Sequence, residues 1–181
     1  EDGSTKVVAS DGTWRVSTGP IVFDSIRNGE TYDARLEQTD WDAADYDDSN
    51  WPLAQIDLGP KGDLRAQMAP AVKVTDTLKP AKLTEPKPGI YVFNIGQNLA
   101  GWARLKVSGP AGTEVVMKYG ERLNADGTLD QKEIGQHIKT GKPQTDTYIL
   151  KGRGTEVWEP RFAYHGFQYV EVTGLPGKPS L

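Results

Sequence analysis

Trp102-Ala103-Arg104-Leu105-Lys106-Val107 alternates apolar and polar side chains. Successive side chains of an extended strand point to opposite faces, so this stretch predicts a strand with one buried and one wet face. Residues 91–95, 114–119, 145–150 and 167–173 read the same way, and near the start Val22, Asp24 and Ile26 alternate with Phe23 and Ser25. Turn signals separate these runs: Gly-Pro at 19–20, 59–60 and 109–110, Asp-Gly at 11–12 and 126–127, Asn-Gly at 28–29. Short strands punctuated at this spacing predict an all-β chain, an antiparallel β-sandwich of the jelly-roll, galactose-binding-like kind. The best helical candidate is short, 43–48. Residues 131–144 predict an ordered polar loop. The run 79–89 carries Pro80, Pro86 and Pro88 and reads as a crossover inside one sandwich, so residues 1–181 form a single module.

Composition narrows the function. The chain has 21 basic and 25 acidic residues, a net charge of −4, which argues against a nucleic-acid partner. No apolar run approaches the roughly 20 residues of a membrane span. Cysteine is absent and only two histidines exist, His137 and His165, which removes disulfides, thiolate metal sites and a cysteine nucleophile. The sequence starts at Glu1 with no signal peptide, as expected of a trimmed piece. Neither Gly-x-Ser-x-Gly nor a Gly-rich phosphate loop occurs. Paired carboxylates remain as the enzymatic reading, a self-sufficient glycosidase.

Three features offer binding chemistry. Asn28-Gly29 is a hairpin signal, because both turn residues must adopt positive φ, and its tip is expected to present Asn28 and Glu30 at one rim of the sandwich. Residues 40–48 hold five aspartates, hard oxygen ligands of the type calcium takes, although the spacing is not that of an EF-hand. Asp and Ser also cap turns, which is the plainer role for this cluster. Five tryptophans and seven tyrosines supply flat faces for sugar C–H patches. Trp14, Trp102 and Trp158 lie in strand patterns and are expected in the core or between sheets. Trp41 is the candidate exposed platform, and Trp51 is open to either role.

Three stretches carry a resemblance: Gly19-Pro20-Ile21 with Asn28-Gly29-Glu30-Thr31-Tyr32-Asp33-Ala34-Arg35 and Asp47-Asp48-Ser49-Asn50-Trp51; Tyr91 through Gly101-Trp102, including Asn94-Ile95-Gly96-Gln97-Asn98; and Glu159-Pro160-Arg161-Phe162-Ala163-Tyr164-His165-Gly166-Phe167. In that order they resemble the N-terminal β-sandwich region of bacterial α-L-rhamnosidases of glycoside hydrolase family 78. The likeness runs from about Trp14 to Gly174. It implies a noncatalytic module, since catalysis in that family resides in an (α/α) barrel further along the chain. It also implies similarity to the family 67 carbohydrate-binding module, which holds L-rhamnose through calcium with an acid–amide pair. Here Arg27-Asn28 stands where that pair is expected. The resemblance implies rhamnose-bearing oligo- or polysaccharide and the parent's catalytic domain as partners, and an extracellular or periplasmic setting. The site it implies comprises Asn28, Glu30, Trp41 and Trp51 for sugar, with Asn28 and Asp47 for calcium. The alternative is a purely structural sandwich packed against the barrel.

Overall fold

The computed structural model describes residues 2–57, 59, 61–138 and 141–181. Lys139 and Thr140 of the expected 131–144 loop lie outside the described residues, as does the side chain of His137. Contacts divide the chain into two units, Glu1–Gly19 with Gln38–Val72, and Pro20–Glu37 with Lys73–Leu181.

The second unit carries the strands: β1 (Ile21–Ser25), β2 (Gly29–Asp33), β3 (Lys82–Lys87), β4 (Ile90–Gly101), β5 (Leu105–Ser108), β6 (Glu114–Gly120), β7 (Arg122–Leu123), β8 (Leu129–Asp130), β9 (Thr145–Ile149), β10 (Thr155–Trp158) and β11 (His165–Thr173). Seven form one sheet in the order β1-β2-β9-β6-β11-β4-β3, while β5 pairs with β10 and β7 with β8. Every pairing is antiparallel except β2 with β9, which run parallel. Among the described residues the helical content is two 3-10 turns, Ala34–Leu36 and Ile134–His137. The all-β architecture expected from the alternating stretches is therefore present.

Alternation builds the core. Val115, Met117 and Tyr119 of β6 and Val170 and Val172 of β11 face Leu105, Val107 and Trp158 of the small β5–β10 sheet. Each such buried side chain contributes about 1.5–3 kcal/mol relative to exposure. Tyr32, Tyr148 and Trp158 add a ring cluster, with centroids 5.3 Å apart for Tyr148 and Trp158.

Four expectations need correction. The run 79–89 is no crossover: it forms edge strand β3 and a turn at Pro88-Gly89 into β4, with Gly89 at φ 74°. An edge strand tolerates Pro86, and the register breaks between Thr84 and Lys87. The Asn28-Gly29 pair does not form a two-residue turn. Ser25 pairs with Gly29, so 26–28 is the loop and Gly29 alone takes positive φ, 120°. Residues 43–48 form no helix: turns run over 40–46, with Ala43 N–H on Asp40 O and Tyr46 N–H on Ala43 O. Trp14 is not core: an isolated bridge at Arg15 and Leu53 forms there, and Trp14 stays 48% exposed.

Candidate functional site

Asn28 and Glu30 lie at the β1–β2 connection, but neither is presented at a rim. Asn28 is 6% and Glu30 1% exposed. The Asn28 amide accepts from Ser25 Oγ at 3.2 Å, and its carbonyl accepts from Thr145 N–H. Its Nδ2 lies so close to Gly141 that a Cβ there would sit at 2.3 Å. Glu30 Oε2 accepts the N–H groups of Arg161 and Phe162 at 3.0 and 3.2 Å.

Glu30 belongs to a buried polar cluster that sequence reasoning missed. Asp146 Oδ1 accepts the Glu30 N–H at 2.9 Å. His165 Nε2 lies 3.1 Å from both Asp146 oxygens, and both side chains are fully buried. The Tyr119 ring stacks on His165 with centroids 4.2 Å apart. Burial pushes the Glu30 carboxyl above its usual range, against the two N–H bonds and with the Asp146 and Asp24 charges adding to the rise. Burial likewise raises the Tyr119 hydroxyl well above 10. Glu30 Oε1 and His165 Nδ1 have no hydrogen-bond partner among the described residues. A signal for His165 existed: it sits between Ala163 and Phe167, apolar residues that both face inward. Its pairing with Asp146 had no local trace.

Trp41, Asp47 and Trp51 belong to the other unit. Trp41 is 63% exposed, as a platform must be. Trp51 is half-buried against Tyr46, with ring centroids 5.4 Å apart. Asp47 caps a turn by accepting Ser49 N–H at 3.0 Å, and bonds to Ser49 hold its carboxyl below the usual range. Asp48 lies 3.7 Å from the Arg15 guanidinium. Among the described residues no three histidine or acidic side chains gather to hold a metal. Calcium needs six to eight oxygens. A turn-capping Asp47 and a buried Asn28 do not fit it.

The second unit holds a cavity of about 450 Å³ between residues 73–80 and the sheet. Leu99, Phe167 and Val170 give it an apolar floor, and Trp102 and Arg104 stand in its wall. One oxygen, Glu159 Oε2, accepts both the Trp102 indole N–H (3.2 Å) and Arg104 Nε–H (3.1 Å). Trp102 therefore lines a cavity rather than filling the core.

Two family models match the chain in tandem: the bacterial α-L-rhamnosidase concanavalin-like domain over residues 84–181, and the α-L-rhamnosidase N-terminal domain over residues 1–76. The chain belongs to the bacterial α-L-rhamnosidase family. An α-L-rhamnosidase of Streptomyces avermitilis is 44% identical over 180 residues, 99% of this chain and 17% of that enzyme. One from Formosa agariphila is 38% identical over 179 residues, 99% of this chain and 19% of the enzyme. Among solved structures, the α-L-rhamnosidase of Dictyoglumus thermophilum superposes with a TM-score of 0.90 at 40% identity, covering all of this chain and 20% of that one. The Streptomyces avermitilis enzyme, solved in complex with L-rhamnose, gives 0.85 at 43% identity over 98% of this chain and 17% of its own. The rhamnosidase-family chain described here thus spans about a fifth or less of the relatives it matches.

Proposed function

We propose that this chain is a noncatalytic accessory region of an α-L-rhamnosidase that holds rhamnose-bearing saccharide for its parent enzyme. The observation that carries the noncatalytic part concerns the acids. Among the described residues the buried acids are Glu30, Asp33, Asp146, Glu156 and Glu171. Each accepts a backbone N–H: from Arg161 and Phe162, Arg35, Glu30, Lys151 and Gly152, and Leu129 respectively. A hydrolytic pair needs one carboxyl free to donate a proton and another free to attack or activate water, at roughly 5–10 Å. These acids instead tie backbone segments to one another, loop to strand, strand to strand or across a turn. The Trp102 cavity supports the saccharide part, because sugars stack C–H patches on aromatic faces. An extracellular or periplasmic setting belongs to the same proposal; calcium does not, given the donors described.

The test has two arms. The 181-residue chain is incubated with an aryl α-L-rhamnoside, and turnover at enzyme level that co-purifies with it rejects the noncatalytic reading. The same chain is titrated with L-rhamnose by calorimetry, with and without a chelator. Saturable binding that survives chelation is expected. A second reading, a packing module for the catalytic domain, draws on the exposed rings of Phe162 and Tyr164 beside buried Ala163. It gains if rhamnose does not bind.

A further inference from the structure

We propose that the cavity beneath residues 73–80 is the saccharide subsite of this chain and takes a single neutral 6-deoxy pyranose. The inference rests on the carbohydrate-binding reading and goes beyond it by locating the site away from the Asn28, Asp47, Trp41 and Trp51 set. Its volume of about 450 Å³ suits one sugar ring with its water, and falls within the range of small-molecule sites. The lining is two-sided in the manner a pyranose needs. Leu99, Phe167 and Val170 form an apolar floor for a C–H face and a methyl group, and Trp102 adds an aromatic wall. Thr75, Asp76 and Thr77 in the same lining offer polar partners for hydroxyls.

The wall is set before any ligand arrives. Glu159 Oε2 fixes the edge of the Trp102 indole and the Nε of Arg104 together. The Arg104 Nη groups and Glu159 Oε1 make no hydrogen bond among the described residues, leaving a fork of donors beside an acceptor for vicinal hydroxyls. Ordering these side chains in advance removes part of the entropy cost that limits small-ligand affinity. The Arg104–Glu159 pair is internally compensated, so neither charge in this wall calls for a charged guest.

The experiment is calorimetric titration of the 181-residue chain and its variants with L-rhamnose and with L-mannose, which differs by a 6-hydroxyl, after thermal melts establish that each variant is folded. Trp102→Ala is expected to weaken rhamnose binding at least tenfold and Arg104→Ala, at an exposed position, several-fold. Trp41→Ala and Trp51→Ala should stay within twofold. L-Mannose should bind about fourfold more weakly, the equivalent of roughly 0.8 kcal/mol for one buried methyl. If rhamnose binds and the folded Trp102 and Arg104 variants match wild type, or Trp41→Ala abolishes binding, the subsite is wrong while the carbohydrate reading stands. If wild type binds no rhamnose, both fall.

Discussion

Glu30 and Arg161 are 131 residues apart in sequence, and the buried carboxylate of the first accepts the backbone N–H of the second at 3.0 Å. The next N–H, of Phe162, bonds the same oxygen. One acid therefore holds the loop before β11 against β2. Its other oxygen lies buried without a partner among the described residues, and that asymmetry makes its protonation matter.

Burial raises the Glu30 carboxyl above the ordinary 4.5. The folded chain keeps a proton there that the unfolded chain releases, so this contribution to stability is complete below the unfolded value and is lost as pH rises through the folded value. Glu30→Gln, which imitates the neutral acid, is expected to gain stability relative to wild type between about pH 4 and pH 7.5. Urea denaturation at both ends of that range measures it. A difference that does not change with pH rejects the buried-proton account.

Asp146 is the acceptor for both His165 and the Glu30 N–H. Asp146→Ala leaves two buried donors without an acceptor and is expected to cost about 3–5 kcal/mol. Chemical denaturation checks the size. A loss below about 1 kcal/mol would mean that water reaches the cluster.

Gly174 and Gly154 share a left-handed backbone, φ 76° and 71°, in very different surroundings. A Cβ on Gly174 would lie 1.9 Å from the Glu114 carbonyl oxygen, whereas one on Gly154 meets nothing within 4 Å. Gly154→Ala is expected to cost about 1 kcal/mol from backbone strain alone, and Gly174→Ala more than about 3 kcal/mol. Equal melting temperatures for the two variants would contradict the packing of β11's end against β6.

Asn28→Ala removes the amide seated on Gly141 and the acceptor for Ser25. A stability loss of about 1–2 kcal/mol is expected, with rhamnose affinity unchanged within about twofold. Paired melts and titrations separate the two effects. An affinity loss without a stability loss would return Asn28 to the binding site.

Much of the sheet was legible because burial imposes a period of two on strands such as β6 and β11. The errors fall where local chemistry has two outlets. Pro86 suggested a break, yet an edge strand has one side on which no N–H is needed. Asn28-Gly29 suggested a tight turn, but the tertiary bond to Thr145 fixed a longer loop. Trp14 sits in a strand-like pattern that pairs through one bridge alone. The Glu30–Asp146–His165 cluster was invisible, since its members come from strands whose adjacency depends on topology. The Trp102 cavity was hidden for the same reason: residues 73–80, 99–104 and 159–170 meet in it from distant parts of the sequence.

The parallel ladder between β2 and β9 also sets a timetable. During synthesis the β1–β2 hairpin leaves the ribosome before its inner neighbour, Thr145–Ile149, which follows more than a hundred residues later, as the 116-residue separation of Glu30 and Asp146 records. Until then one flank of β2 is an open template for other chains. Such late closure slows assembly. The nascent protein therefore passes through an interval of aggregation risk, in which chaperones have the most to offer and which any truncation ahead of Thr145 would make permanent.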